Sequence, residues 1–315
     1  MSKLAKQVVV ETVDLTKNYD KTTVVDKLNL NIEEGDIFGF LGPNGAGKTT
    51  TILMLLGLTE PTSGTAHIYG YNSTREPLKV KRITGYVPEK VGFYDDLTAS
   101  YNLAYTARLN DLPEDVVMKR VEDSLGIVGL SDKAEHQVGT FSKGMKQRLA
   151  ITDILVKMPK VAILDEPTSG IDPEGIVQML DMIANIAKER NMTIIMCSHQ
   201  LYQVQRICNR VGMLVNGKLV IEGLLDQLGK DALGGGQLRI EVKLAETTSE
   251  LIDCVRRISG VVNVERSGDL LFITCLGDLR AQIAKAIINA NGLLVEMKIQ
   301  AYALEDIYRK YFKEA

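Results

Sequence analysis

Apolar residues recur along this chain in two rhythms. Alternation at every second position predicts strands at residues 8–16 and 28–32. Short unbroken apolar runs at 37–41, 161–165 and 193–198 have the length of strands buried on both faces. Between them the spacing lengthens to that of amphipathic helices at 48–58, 116–128 and 173–190. The second of these is opened by Pro113-Glu114, with proline in its first turn. Pro61-Thr62-Ser63-Gly64 predicts a turn, and 211–220 a hairpin turning at Asn216-Gly217. Strands alternating with helices predict a three-layer α/β domain around a mostly parallel sheet.

A short helical stretch at 224–228 leads to Gly234-Gly235-Gly236, which reads as a flexible joint, and the pattern then restarts. Strands are predicted at 238–244, at 261–266 and 270–275 (paired around Ser267-Gly268-Asp269), and at 293–299. Helices are predicted at 248–258, 278–291 and 303–312. The order β-α-β-β-α-β is that of a small ferredoxin-like α+β fold. The expected domains are therefore 7–232 and 237–315.

Composition narrows the function classes. The 315 residues are 45% hydrophobic and 24% charged with a net charge of −3, so bulk charge gives no case for nucleic acid as a partner. No apolar run approaches the roughly 20 residues that cross a bilayer. The start, MSKLAKQVVV, lacks the apolar core and cleavage site of a signal peptide. Cys197, Cys208, Cys254 and Cys275 have no CxxC spacing and read as small core residues in a reducing compartment. The expectation is a cytosolic protein, soluble in itself.

The chemistry lies in three stretches. Gly42-Pro43-Asn44-Gly45-Ala46-Gly47-Lys48-Thr49, followed by Thr50, fits G-x-x-x-x-G-K-[ST] between a predicted strand and a predicted helix. Glycines there let backbone N–H groups crowd around phosphate oxygens, and the helix adds its positive end. Lys48 would reach the β- and γ-phosphates, and the Thr49 hydroxyl would ligate Mg²⁺. Asp165-Glu166 ends an apolar strand. Asp165 would hold Mg²⁺ through water, and Glu166 would orient or deprotonate an attacking water. Phe141-Ser142-Lys143-Gly144-Met145-Lys146-Gln147-Arg148 would open a helix with bare N–H groups and a hydroxyl facing outward, an anion site without a nucleotide of its own.

Together, in this order, these stretches resemble the ATP-binding subunits of ABC (ATP-binding cassette) transporters over about residues 7–230. The resemblance implies a P-loop NTPase cassette with a helical signature subdomain. It implies that Ser142, Lys143 and Gly144 belong to the signature, usually LSGGQ, which meets the γ-phosphate held by a second copy packed head-to-tail. It also implies a switch role at the γ-phosphate for His199, adenine stacking for Tyr19, and a Q-loop position for Glu89, where the family usually has glutamine and where a carboxylate can still ligate Mg²⁺. Tyr19 can alternatively be read as a packing residue. His67 and His136 have no such context.

The resemblance further implies an ATP hydrolase with ATP and Mg²⁺ as cofactors, Lys48, Glu166 and His199 carrying the chemistry, and transport through a separate membrane permease. The region after Glu89, about 90–108, with Phe93, Tyr94, Tyr101 and Tyr105, is the expected permease dock. Tyr86-Val87-Pro88-Glu89 and Ser142-Lys143-Gly144-Met145 are similar to the ABC-2 exporter branch, with a faint likeness to exporters that serve copper-enzyme (nitrous-oxide reductase type) maturation. The chain would then be cytoplasmic and peripheral on the inner face of the cell membrane. The alternatives are a soluble non-transport ABC ATPase and an ATP-binding regulatory subunit.

Overall fold

The computed structural model describes residues 7–232 and 237–300. The chain divides into two compact units between Gly223 and Leu224. The predicted joint at Gly234-Gly235-Gly236 and the predicted helix at 303–312 lie outside the described residues.

The first unit holds two sheets. Strands β1 (Val8–Tyr19), β2 (Thr22–Glu33), β4 (Ser63–Ile68) and β5 (Tyr71–Asn72) form a four-stranded sheet in the order β2-β1-β4-β5, with antiparallel neighbours. Strands β3 (Ile37–Leu41), β6 (Thr84–Val87), β7 (Val161–Asp165), β8 (Thr193–Ser198), β9 (Arg210–Val215) and β10 (Lys218–Leu224) form the central sheet in the order β10-β9-β3-β8-β7-β6. From β9 to β6 every pairing is parallel. Helices α1 (Lys48–Leu55), α2 (Pro77–Ile83), α3 (Ala99–Leu109), α4 (Glu114–Ile127), α5 (Lys143–Lys157), α6 (Pro173–Arg190) and α7 (Leu201–Ile207) complete it.

The unbroken apolar runs are central strands because both faces of the sheet are covered. On β7, Val161 and Ile163 enter a core shared with α1 and the antiparallel sheet, whereas Ala162 and Leu164 enter one shared with α3–α6. Strand β8 divides likewise, Ile195 and Cys197 on one side and Ile194 on the other. The expected three layers are thus present, the antiparallel sheet forming most of one. Helix α1 ends at Leu55, short of the predicted 58, because Gly57 follows in the left-handed region at φ 63°. The hairpin turns at Asn216-Gly217, both at positive φ (47° and 80°), as a tight turn between twisted strands requires.

Parallel pairing places the carboxyl ends of β3, β7 and β8 at one edge. In open α/β sheets that edge is where ligands bind. The phosphate loop leaves β3 there, Asp165-Glu166 leaves β7, and Ser198-His199 leaves β8.

The second unit begins with α8 (Leu225–Ala232) and continues as β11 (Gln237–Leu244), α9 (Ser249–Arg256), β12 (Val261–Ser267), β13 (Leu270–Leu276), α10 (Arg280–Asn289) and β14 (Leu294–Gln300). The antiparallel sheet order β12-β13-β11-β14 is ferredoxin-like. Ile240, Val242, Leu271 and Ile273 pack under Leu251, Val255, Ile283 and Ile287 of the two helices.

Candidate active site

The phosphate loop is held from behind by backbone. Gly217 N–H donates to Ala46 O at 3.1 Å, and Asp26 N–H to Gly217 O at 2.9 Å. Gly47 caps α1 at φ 105°, and a Cβ there would lie 2.6 Å from Val24 O, so only glycine fits. No side chain caps the helix, and its first-turn N–H groups, which lack intrahelical acceptors, are left to face the cavity. Lys48 is 7% exposed and donates to Gly42 O at 2.6 Å and Pro43 O at 3.0 Å. Its charge is therefore solvated by carbonyl dipoles and not neutralised by an acid.

Asn44, Gly45, Gly47, Lys48, Thr49 and Thr50 line a cavity of about 170 Å³ together with Glu89, Asp165 and Glu166. Thr49 Oγ1 donates to Asp165 Oδ2 at 3.2 Å, across the gap between β3 and β7. Burial holds the Asp165 carboxyl above its usual range, opposed by the Thr49 hydrogen bond and reinforced by the charges of Glu166 and Glu89. Tyr86 is pushed up to about 12 by burial and then by Asp165. Three carboxylates thus face one lysine, and this negative field is suited to a divalent cation. The oxygen donors, Thr49 Oγ1 and the Asp165 carboxylate, suit Mg²⁺. Among the described residues no three acidic or imidazole groups converge to hold a cation unaided. Mg²⁺ commonly takes the rest of its shell from water and substrate phosphates.

Glu166 has a left-handed backbone at φ 48°, held by its N–H donating to Cys197 O at 3.0 Å. The turn aims its carboxylate at β8, where Oε1 accepts the His199 N–H at 2.9 Å and lies 2.7 Å from His199 Nδ1. With Nδ1 turned to Glu166, Nε2 is the ring nitrogen left free of this pair. Behind this pair lies a buried network that sequence reasoning missed. Gln203 Oε1 accepts from Thr168 Oγ1 at 2.8 Å and from Ser198 Oγ at 3.2 Å, and Gln203 Nε2 donates to Gln200 Oε1 at 2.8 Å. It ties the turn after Glu166 to the segment bearing His199. The three residues lie 30 or more positions from Thr168, and no spacing marks them.

The remaining candidates stand elsewhere. Tyr19 is exposed at the end of β1, with Lys17 Nζ 5.0 Å from its ring, and is not on the cavity wall. Gly42, Pro43 and Ala46 do not line the cavity; the carbonyls of the first two accept from Lys48 and that of Ala46 from Gly217 N–H. Ser142 and Gly144 line a second cavity, about 520 Å³, with Met145, Arg148, Ile171 and Asp172. No phosphate-loop residue reaches it. Ser142 caps α5, its Oγ accepting the Met145 N–H at 3.2 Å.

A Gly-rich loop at a helix start, a strand-end acid on its threonine and a carboxylate–histidine pair define a P-loop ATPase. The profile of the family described as "ABC transporter" matches residues 25–169. The bacitracin transport ATP-binding protein BcrA of Bacillus licheniformis is 46% identical over 222 residues, covering 70% of this chain and 72% of its own. Its namesake in Enterococcus faecalis is 33% identical over 311 residues, 96% of both chains. Among solved structures, cbiO1 of Clostridium perfringens, part of the ABC transporter complex cbiONQ, matches with a TM-score of 0.65 and 29% identity. That match covers 70% of this chain and 89% of the other. The chain belongs to the ATP-binding, ATP-hydrolysing subunits of ABC transporters, among exporter-type relatives. No helix among its described residues is long and apolar enough to cross a membrane.

Proposed function

We propose that two copies of this chain pack head-to-tail around two ATP molecules and drive export through a separate permease of the ABC-2 type. The observation that carries this reading is the separation of the two anion-binding features. The phosphate loop opens on one cavity and Ser142-Gly144 on another. A helix start that shares no cavity with its own chain's loop is placed to serve a nucleotide brought by a second chain.

Within each site Lys48 leaves its loop carbonyls for the phosphates, and the α1 N–H groups accept the charge that builds there. Glu166 orients the attacking water and takes its proton. His199, with Nδ1 against Glu166, donates from Nε2 to the γ-phosphate in its doubly protonated form, both ring nitrogens then being donors. Mg²⁺, held by Thr49 and Asp165 with Glu89 nearby, would supply charge neutralisation of the phosphates when bound. Tyr19, exposed at the end of β1, offers its ring to the adenine. Nucleotide gripped by both copies favours the closed pair by its differential affinity, and loss of the γ-phosphate releases it.

The permease dock is the segment between β6 and α3 with the exposed side of α3. Tyr94 and Tyr105 pack edge-to-face at 5.6 Å with Tyr101 exposed beside them, while Phe93 packs inward. An exposed aromatic cluster of this kind suits a protein partner. It is wired to α5. Asp95 pairs with Lys146 at 2.8 Å, and Gly139 N–H donates to Asp95 O at 2.9 Å. The second unit serves as an accessory domain to the cassette.

The relatives' names favour a peptide-antibiotic cargo of the bacitracin kind over the copper-enzyme reading, which rests on two short phrases alone. In bacteria expressing this chain with its membrane partner, tolerance to bacitracin should rise, and Glu166→Gln should abolish the gain. Unchanged tolerance, with ATP turnover intact, would remove this cargo.

A further inference from the structure

Lys143 occupies the first position of α5, and its ammonium has no hydrogen bond or ion pair among the described residues. Nearby lysines differ. Lys48 rests on two carbonyls and Lys146 on Asp95. The Lys143 side chain instead lies across Gly170, in the turn that follows Glu166. A Cβ on Gly170 would collide with Nζ and stand 2.8 Å from Cε and 2.9 Å from Cδ of Lys143. Gly170 is at φ +71°, and Gly144 faces the same turn, with Ile171 Cγ2 3.9 Å from where its Cβ would be.

That turn is short and tied down on its other side. Ser169 N–H donates to Glu166 O at 3.0 Å, Ile171 N–H to Thr168 O at 3.2 Å, and the Thr168 hydroxyl enters the Gln203 network that reaches Ser198 beside His199. An uncompensated cation at the signature therefore bears on the backbone that sets the Glu166 carboxylate. Its resting place exists only because residue 170 has no side chain.

We infer that Lys143 is a positioning residue that reports phosphate at the signature to Glu166 of its own chain, through Gly170. The inference rests on the head-to-tail reading. Without an anion before α5, the ammonium lies on the Gly170 turn. With a γ-phosphate there it gains a charge partner, leaves the turn, and the turn settles with Glu166 aligned. Each active site is thereby informed of the other's occupancy, by a two-state side chain whose balance the ligand shifts.

The test uses the full chain in two forms. ATP-induced dimerisation is followed by light scattering in a Glu166→Gln background, and turnover is followed with Glu166 native. Lys143→Met should raise the ATP concentration for half-maximal dimerisation about 5-fold, the size of one charge-assisted phosphate contact. It should also flatten the cooperativity of turnover, and Lys143→Arg should restore both. Gly170→Ala denies the ammonium its resting place and should lower the half-maximal ATP concentration about 3-fold. In a Lys143→Met background the same change should have no such effect. Backbone strain at φ +71° is common to both backgrounds and cancels, and melting temperatures show that each variant is folded. Equal Gly170→Ala shifts in the two backgrounds, or a Lys143→Met protein with unchanged half-saturation and cooperativity, would overturn the inference. Absence of any ATP-induced dimer in the Glu166→Gln protein would overturn the head-to-tail reading as well.

Discussion

The two helix starts proposed to bind anions in this cassette are built from similar parts and differ in completeness. Both are helix starts preceded by irregular chain, and both carry a lysine. At α1 the lysine is buried against carbonyls, faces three carboxylates and has a carboxylate–histidine pair beside it. At α5 the serine caps its own helix, the lysine is exposed without a partner, and the cavity is the larger. The first has the parts to bind and react; the second, on the proposed head-to-tail pairing, serves to complete the site of another copy. What separates them is the chemistry brought to the helix by neighbouring strands. Strands β7 and β8 deliver Asp165, Glu166 and His199 to α1, and no strand residue lines the cavity at the start of α5.

The largest test of this difference is Glu166→Gln. Loss of the base should lower turnover by about 10³-fold, within the range for general-base removal, while ATP binding persists in a filter or fluorescence assay. A residual rate within a few-fold of normal would mean that another group activates the water. Next comes His199→Ala, expected to cost about 10²-fold in turnover as one donor to developing charge is lost. A pure rise in KM would instead make the histidine a binding residue. At the other half-site, Ser142→Ala removes a cap worth about 1 kcal/mol. It should shift dimerisation by about 5-fold in ATP concentration and leave binding to the isolated chain unchanged.

The smallest expected effect concerns the helix that carries the second half-site. Asp153, on α5, is nearly buried, with Oδ1 lacking a partner, and burial raises its pKa to about 6 against a lowering by the Thr106 hydrogen bond and the Lys157 charge. The folded chain therefore holds a proton that the unfolded chain releases between the ordinary carboxylate range and about pH 6. Stability should fall as pH rises through that window and stay low above it. Asp153→Asn should remove this dependence and stabilise the chain at pH 8, by an amount on the order of 2 kcal/mol, with little change at pH 4. Equal melting shifts at both pH values would contradict it.

The sequence disclosed the first half-site more fully than the second. The loop, the strand-end acids and the runs at 161–165 and 193–198 carry local signals, because a phosphate cradle needs glycine and a doubly covered strand needs unbroken apolar residues. Strands β4 to β6 and helices α2 and α7 went unread. Tyr71–Asn72 is too short for a rhythm, and Thr84–Val87 includes Gly85, whose missing side chain lets Ile154 of α5 approach to 2.7 Å of its Cβ position. The Gln203 network and the contact of Lys143 with Gly170 are tertiary facts. Each joins residues far apart in the chain by chemistry that leaves no periodic trace.

The central claim is that one active site draws on two chains. It is tested most directly by mixing two inactive variants of the full chain, Lys48→Ala and Ser142→Arg, and measuring ATP turnover. Head-to-tail pairing gives each mixed dimer one site with an intact loop and an intact signature, so an equal mixture should recover about a quarter of the native rate. A mixture as inactive as its components would contradict the account.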